Sequence, residues 1–374
     1  MIEFLEISTL LTRVPDLGWE TVKSQTTLSE RQKDILQTII ITHITTAATV
    51  GSRTVAKKMG FRLSPASIRN VMSDLEEMGY VRQPHTSAGR IPTDSGYRFY
   101  VDALMEPPEI DREEQAQIEY LYRSKIDEIE ELMLLSSKLL SLLTRYTAIV
   151  QTPRMETELI RHVDIVRMTS GKALVILITN LGDVKKRVAA LPEGTADTDL
   201  DRLTAFLNEK LNGLAFSDAR KMLDSLAGSE DPTDSRLGSL ALTVVREVLS
   251  EQPARDLYLN GMENIFNQPE FQDMDRLRPV LRVLDEKQQL NELIESCVST
   301  GQAGDIYIRI GSENPLDDVR SCSFVVSPYR IQGRPTGALG VIGPTRMQYS
   351  RASALVAHVA NRLSGMLTEL SGGD

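Results

Sequence analysis

The stretch from Ser64 to Asp102, SPASIRNVMSDLEEMGYVRQPHTSAGRIPTDSGYRFYVD, constrains this chain more than any other, because it encodes a two-faced helix followed by a basic hairpin. Ser64 is a good N-cap, and Pro65 suits the first helical position, where its missing N–H would have no partner. Ile68, Met72 and Leu75 recur at helical spacing, so one face is buried. The other face offers Ser67, Arg69 and Asn70, residue types that donate to phosphates or base edges. An ordinary solvated helix surface is the bland alternative.

The flanks complete a helix-turn-helix with a wing. Upstream, residues 50–60 read as a short helix capped by Ser52, burying Val55 and Met59 and stopping at Gly60. Further upstream, Leu28 to Thr46 carries Ile35, Leu36, Ile39, Ile40 and Ile44 at the spacing of a packing helix. Downstream, Tyr80–Pro84 and Arg90–Pro92 flank His85-Thr86-Ser87-Ala88-Gly89, whose small and polar residues suit a hairpin tip. The DNA-facing set is therefore Ser52, Arg53, Thr54, Lys57 and Lys58 from the first short helix, and Ser64, Ser67, Arg69 and Asn70 from the second. The wing adds Arg82, His85, Thr86, Ser87 and Arg90. Tyr97, Phe99 and Tyr100 read as core aromatics under the wing rather than stacking platforms.

A net charge of −10 over 374 residues argues on its own against a nucleic-acid partner, but the distribution decides the point. Between residues 50 and 105 eight cations face five anions, a local balance of +3. Three of those anions, Asp74, Glu76 and Glu77, fall late in the recognition helix, beyond the end expected in the major groove.

At this point the residues carry a family. Val50–Thr54, Ser64–Asn70, Pro84–Arg90 and Gly96–Arg98 resemble the winged helix of the HrcA heat-inducible transcription repressors, in order and spacing. Ile265–Phe271, Gly311–Leu316 and Gly340–Met347 resemble later blocks of the same family, so the likeness spans nearly everything after Leu28. One departure is Ala47-Ala48-Thr49, where the family usually places a proline. The resemblance implies a GAF-like domain split by a small inserted dimerising domain, an inverted-repeat operator upstream of chaperone operons, and the GroEL chaperonin as a partner.

The remaining chain is consistent with more than one domain. Pro107-Pro108 marks a linker, and Asp111 to Tyr146 reads as a long amphipathic helix, or two with a bend, packing on its own domain or on a second subunit. Lys125 and Ser136 interrupt its stripe. Strands are expected over 159–168, 172–179 and 184–191, and again over 305–310, 322–331 and 337–342, followed by a helix over 348–370. Two strand sets with a helical segment between them suggest one sheet carrying an insertion, with stripes at Leu200, Leu203, Leu207, Leu211 and Leu240, Val244, Val248 inside the insert. The fold class is thus α+β multidomain: an N-terminal extension (1–27), a winged-helix DNA-binding domain (28–106), a linker helix and first part of a GAF-like antiparallel-sheet domain (107–194), a largely helical insert (195–275), and the second part of the GAF-like domain (276–374).

Catalysis and cofactors find no support. His43, His85, His162 and His358 lie far apart with no nucleophile or ligand spacing beside them. Cys297 and Cys322 have no metal-like spacing, and Gly340–Thr345 lacks the Gly-Lys-Ser/Thr of a phosphate loop and reads as a strand-end turn. No apolar run approaches the roughly 20 residues of a membrane span, and Glu3 and Glu6 stand where a signal peptide would be basic, so the cytoplasm is expected. The reading is a homodimeric, sequence-specific repressor bound to double-stranded DNA, with no cofactor, metal or membrane. Its competitor is a winged-helix repressor governed by a small ligand in the GAF-like domain.

Overall fold

The structure is a computed structural model that describes residues 28–86, 88–106, 110–122, 128–153, 159–180, 182, 184–227, 239–245, 255–298 and 306–371. Residues 1–27, Ser87, Pro107, Pro108, Lys125 and Val248, all singled out above, lie outside the described residues.

The N-terminal unit is built from α1 (Glu30–Thr46), α2 (Ser52–Lys58), α3 (Pro65–Glu77), β1 (Val81–Arg82), β2 (Ile91–Pro92) and α4 (Asp94–Phe99), whose last turn widens into a π-helix over Tyr100–Leu104. α1 opens with a capping box, Ser29 and Gln32 satisfying each other's backbone N–H groups. α3 is capped as expected, the Ser64 hydroxyl accepting from the Ser67 N–H at 3.1 Å. α2 is not: Gly51 holds the N-cap position, and Ser52 is the first helical residue. Ile35, Leu36, Ile39, Ile40, Val55, Ile68 and Leu75 are all fully buried and tie the three helices together.

The main domain is a five-stranded antiparallel sheet in the order β7 (Leu257–Asn260), β3 (Thr147–Gln151), β10 (Arg334–Pro344), β9 (Cys322–Ile331), β8 (Tyr307–Ile310). Alternate residues serve two cores. Ala148, Val150, Val325, Leu339 and Val341 point toward α6 (Ile129–Thr144), α13 (Tyr349–Ser371) and the winged helix, while Ile149, Phe324, Val326 and Ile342 point toward α11 (Met274–Asp285) and α12 (Lys287–Val298). With both faces covered, β9 is buried along most of its length. α5 (Arg112–Tyr122) precedes α6, and Ser136, read as a break in the stripe, is buried because its hydroxyl bonds the Tyr122 hydroxyl at 2.6 Å and the Leu132 carbonyl at 2.7 Å.

The two strand sets do not share a sheet. β4 (Ile160–Thr169), β5 (Lys172–Thr179) and β6 (Val184–Ala190) form a separate three-stranded antiparallel sheet with its own core against α7 (Asp197–Leu211), α8 (Phe216–Ala227) and the helical residues 239–245, called α9. The Asn208 side chain on α7 bonds both the N–H and the carbonyl of Val163, fixing helix to sheet. Within the expected insert, residues 197–211, 216–227 and 239–245 are helical as read, and the sheet β4–β6, expected in the GAF-like domain, packs on them instead to make one α+β unit. The reason is local: hairpins with tight turns satisfy each other's backbone groups without any partner strand from the main sheet. Gly340 to Pro344 also differ from expectation, lying within central strand β10 rather than in a turn. A Cβ on Gly340 would sit 2.3 Å from the Val325 carbonyl oxygen, so the glycine serves close strand approach.

Candidate nucleic-acid interface

α2 and α3 pack at the surface with opposite faces committed. On α2, Val55 and Ala56 are buried while Arg53, Thr54, Lys57 and Lys58 are exposed. On α3, Ile68, Val71, Met72 and Leu75 point inward, and Arg69 and Asn70 are exposed. Arg53, Lys57, Lys58, Arg69 and Arg82 have no ion pair among the described residues, and neither does Arg62 in the turn between the helices. Unpaired guanidinium and ammonium groups on one side of a helix-turn-helix attract phosphate without first breaking an internal bond. Arg62 and its exposed neighbour Phe61, at φ +56°, were not among the sequence-predicted contacts; the turn composition hid them.

Three expected residues take other roles. Ser52 is 9% exposed, too enclosed to reach out with its side chain. Ser64 spends its hydroxyl on the cap and is within 3.0 Å of the half-buried Ser67 hydroxyl. Arg90 turns inward: its guanidinium lies 2.7 Å from the Glu76 carboxylate, and its side chain is 17% exposed.

The wing is organised by that carboxylate. Glu76 also accepts the Gln83 N–H at 2.8 Å, while the Gln83 side chain donates to the carbonyls of Thr86 at 2.9 Å and Ala88 at 3.0 Å. Glu76, read above as a charge merely out of the way, is the post to which the hairpin is tied; sequence pattern could not reveal a partner that a loop brings back. Arg90 exchanges both backbone bonds with Val50, at 2.8 and 2.9 Å, a single β-bridge that ties the two-stranded wing to the chain entering α2. A Cβ on Gly89 would lie 2.4 Å from the Val50 carbonyl oxygen, which explains glycine at that place. His85 and Thr86 are exposed at the tip and Arg82 on its flank.

Tyr97 is not under the wing but in the seam with the main domain. Its hydroxyl bonds His43 Nδ1 at 2.7 Å, and its ring centroid lies 5.9 Å from that of Tyr349. Burial, reinforced by Arg346, pushes the His43 pKa down to about 4, so the ring is neutral near pH 7. Burial raises both thiols, Cys297 to about 11 and Cys322 to about 12, which makes neither a ready nucleophile.

Two family profiles match this chain, a "Winged helix-turn-helix transcription repressor, HrcA DNA-binding" domain over residues 27–102 and an "HrcA protein C terminal domain" over residues 130–352. A "Heat-inducible transcription repressor HrcA" of Moorella thermoacetica is 40% identical over 344 residues, covering 92% of this chain and 99% of that protein. The chain belongs to the HrcA family. Proteins of the same description from Pelotomaculum thermopropionicum and Geobacter sulfurreducens are 38% and 39% identical, covering 92% and 91% of this chain and 99% of each relative. The crystal structure of a hypothetical protein superposes with a TM-score of 0.61 at 24% identity, covering 92% of this chain and 100% of that one, which speaks for the fold alone. HrcA proteins are named as transcription repressors, not enzymes, and this HrcA chain carries the winged-helix DNA-binding domain of the family. Among the described residues, no helix is long and apolar enough to cross a membrane, and no cluster of ligating side chains could hold a metal ion.

Proposed function

We infer that this chain represses chaperone operons in the cytoplasm by binding an inverted-repeat operator as a homodimer. α3 enters the major groove, with Arg69 and Asn70 toward base edges, while Arg53, Thr54, Lys57 and Lys58 contact the backbone alongside. The wing adds Arg82, His85 and Thr86. The observation that carries this reading is the outward face of α2 and α3, cationic and unpaired on a chain whose net charge is −10.

Support for the dimer comes from the insert. The outer face of its sheet presents Val166 (45% exposed), Met168 (57%), Val184 (49%) and Val188 (46%); Leu174 stands between Val166 and Val188 and Ile178 beside Val184, while Ile176 lies between Asp164 and Lys186. Large apolar side chains exposed together, with an acid and a base beside them, mark an interface, and such a face suits a second copy of itself. A single recognition helix reads too few base pairs for genomic specificity, so pairing of subunits also follows from the DNA side. The GAF-like reading of the main domain, and GroEL as the partner that raises the population of active repressor, rest on the family resemblance. Binding to the folded state alone would stabilise it by mass action.

The test is a mobility shift with the wild-type chain on a duplex from its own chaperone-operon promoter and on a shuffled duplex of equal composition. Tighter binding to the promoter is expected; equal affinity for the two would overturn the reading.

A further inference from the structure

The winged helix is bolted to the main domain at two places, and each uses an arginine. At the first, Arg98 on α4 makes a forked pair with Glu313, Nε to Oε1 at 2.8 Å and Nη2 to Oε2 at 2.5 Å, and also donates to the Ile308 carbonyl at 2.6 Å. The neighbouring Asp94 carboxylate accepts the Ser312 N–H at 2.8 Å. Gly311, at φ +52°, leaves room for that carboxylate, since a Cβ there would stand 2.3 Å from it. At the second, Arg346 donates to the Ile44 carbonyl at 2.6 Å while its other nitrogens hold Glu270 at 2.6 and 3.2 Å. Ile44 lies in the last turn of α1, whose carbonyls have no helical partner, so a cation there satisfies an orphan acceptor and the helix dipole together. The Tyr97–Tyr349 contact fills the space between the bolts.

Forked arginine–carboxylate pairs fix orientation as well as distance. One of them, Arg98 with Glu313, crosses the seam from α4; at the end of α1 the crossing bond is Arg346 to the Ile44 carbonyl, with Glu270 steadying that guanidinium from within the main domain. Together they remove the hinge that a linker alone would leave between the winged helix and the main domain, from whose sheet the insert extends.

We propose that Arg98 and Arg346 are positioning residues for DNA recognition, setting the separation and angle of the two recognition helices and hence the half-site spacing that the dimer accepts. This rests on the dimeric operator-binding reading above. A rigid reader is sensitive to spacing because one added base pair moves a half-site by about 3.4 Å and turns it by about 35°. A reader on loose tethers follows such changes.

The experiment begins with duplexes selected by the wild-type full-length chain from a random pool. The selected inverted repeat is resynthesised with its centre lengthened or shortened by one, two and three base pairs, and as a single half-site. Arg346→Met, Arg346→Lys and Glu313→Gln are compared with wild type, each checked for native circular dichroism; Glu313→Gln carries the test should Arg346→Met not fold. Wild type should lose about tenfold in affinity per altered base pair, a step of about 1.4 kcal/mol. Arg346→Met and Glu313→Gln should flatten the spacing profile to within about threefold while keeping half-site affinity, and Arg346→Lys should restore part of the sharpness. A profile as sharp as wild type in both folded variants overturns the proposal, as does uniformly tighter binding, which would make the bolts inhibitory. Selection of no sequence by wild type would sink the function itself, and this inference with it.

Discussion

Arg90 offers a sharp separation of a DNA contact from a structural tie. The structure turns its guanidinium onto Glu76 at 2.7 Å, with the two side chains 17% and 32% exposed. A fully exposed pair contributes about 0.2–1 kcal/mol, and breaking a fully buried one costs about 3–5 kcal/mol. At this half-buried site Arg90→Met should therefore cost about 1–2 kcal/mol, felt locally in the wing. Glu76→Gln should cost a similar amount, because it leaves the Arg90 guanidinium short of its charge partner. The double variant should cost little more than either single one, a coupling of about 1–2 kcal/mol. Hydrogen exchange at the Val50 and Arg90 amides, which bond each other's carbonyls, reads this directly. Their protection should fall about 5- to 30-fold in each single variant. A salt titration of DNA affinity provides the second arm: Arg90→Met should keep the wild-type slope, whereas Lys57→Met should lower it by about one. Additive exchange effects together with a reduced slope for Arg90→Met would refute the tie and return Arg90 to the phosphate.

Other outcomes follow from the same geometry. Gly96→Ala puts a Cβ 2.1 Å from the Tyr80 carbonyl oxygen, so a thermal melt should show a loss above about 2 kcal/mol or no folded protein. Val166→Asp combined with Val188→Asp places charge on the outer sheet face of the insert and should give a monomer in sedimentation equilibrium with unchanged circular dichroism. His43 ordinarily titrates at 6.5 and is held at about 4, so the unfolded chain takes up its proton first. The stability this group provides is full above pH 6.5 and is lost as pH falls toward 4, on the order of 1–2 kcal/mol after solvent screening. His43→Gln should flatten that part of the stability–pH curve measured by urea unfolding.

Much of this was legible because helix and strand periodicity is local. The cap at Ser64, the inward stripe of α3, and the strands Lys172–Thr179 and Cys322–Ile331 follow from spacing and turn residues alone. Sheet membership was not, because the same alternation is written whichever sheet a strand joins. β3 and β7 were missed for a related reason: a short strand such as Thr147–Gln151, buried at every position, has no alternation to detect. At the interface, the sequence pointed to most of the exposed cations, passed over Arg62, and could not tell Arg82, left free among the described residues, from Arg90, which long-range folding supplies with Glu76. The later motif blocks read as family marks only; in the structure Ser312, Glu313 and Arg346 are where the main domain grips the winged helix, and Glu270 holds Arg346 in place.

Sequence reading by the outward face of α3 is most directly tested by how well the Arg69→Ala chain tells its operator from a shuffled duplex. The ratio of the two affinities should fall by about 5- to 150-fold, a loss of about 1–3 kcal/mol confined to the operator. An unchanged ratio, whether both affinities hold or both drop together, would contradict it.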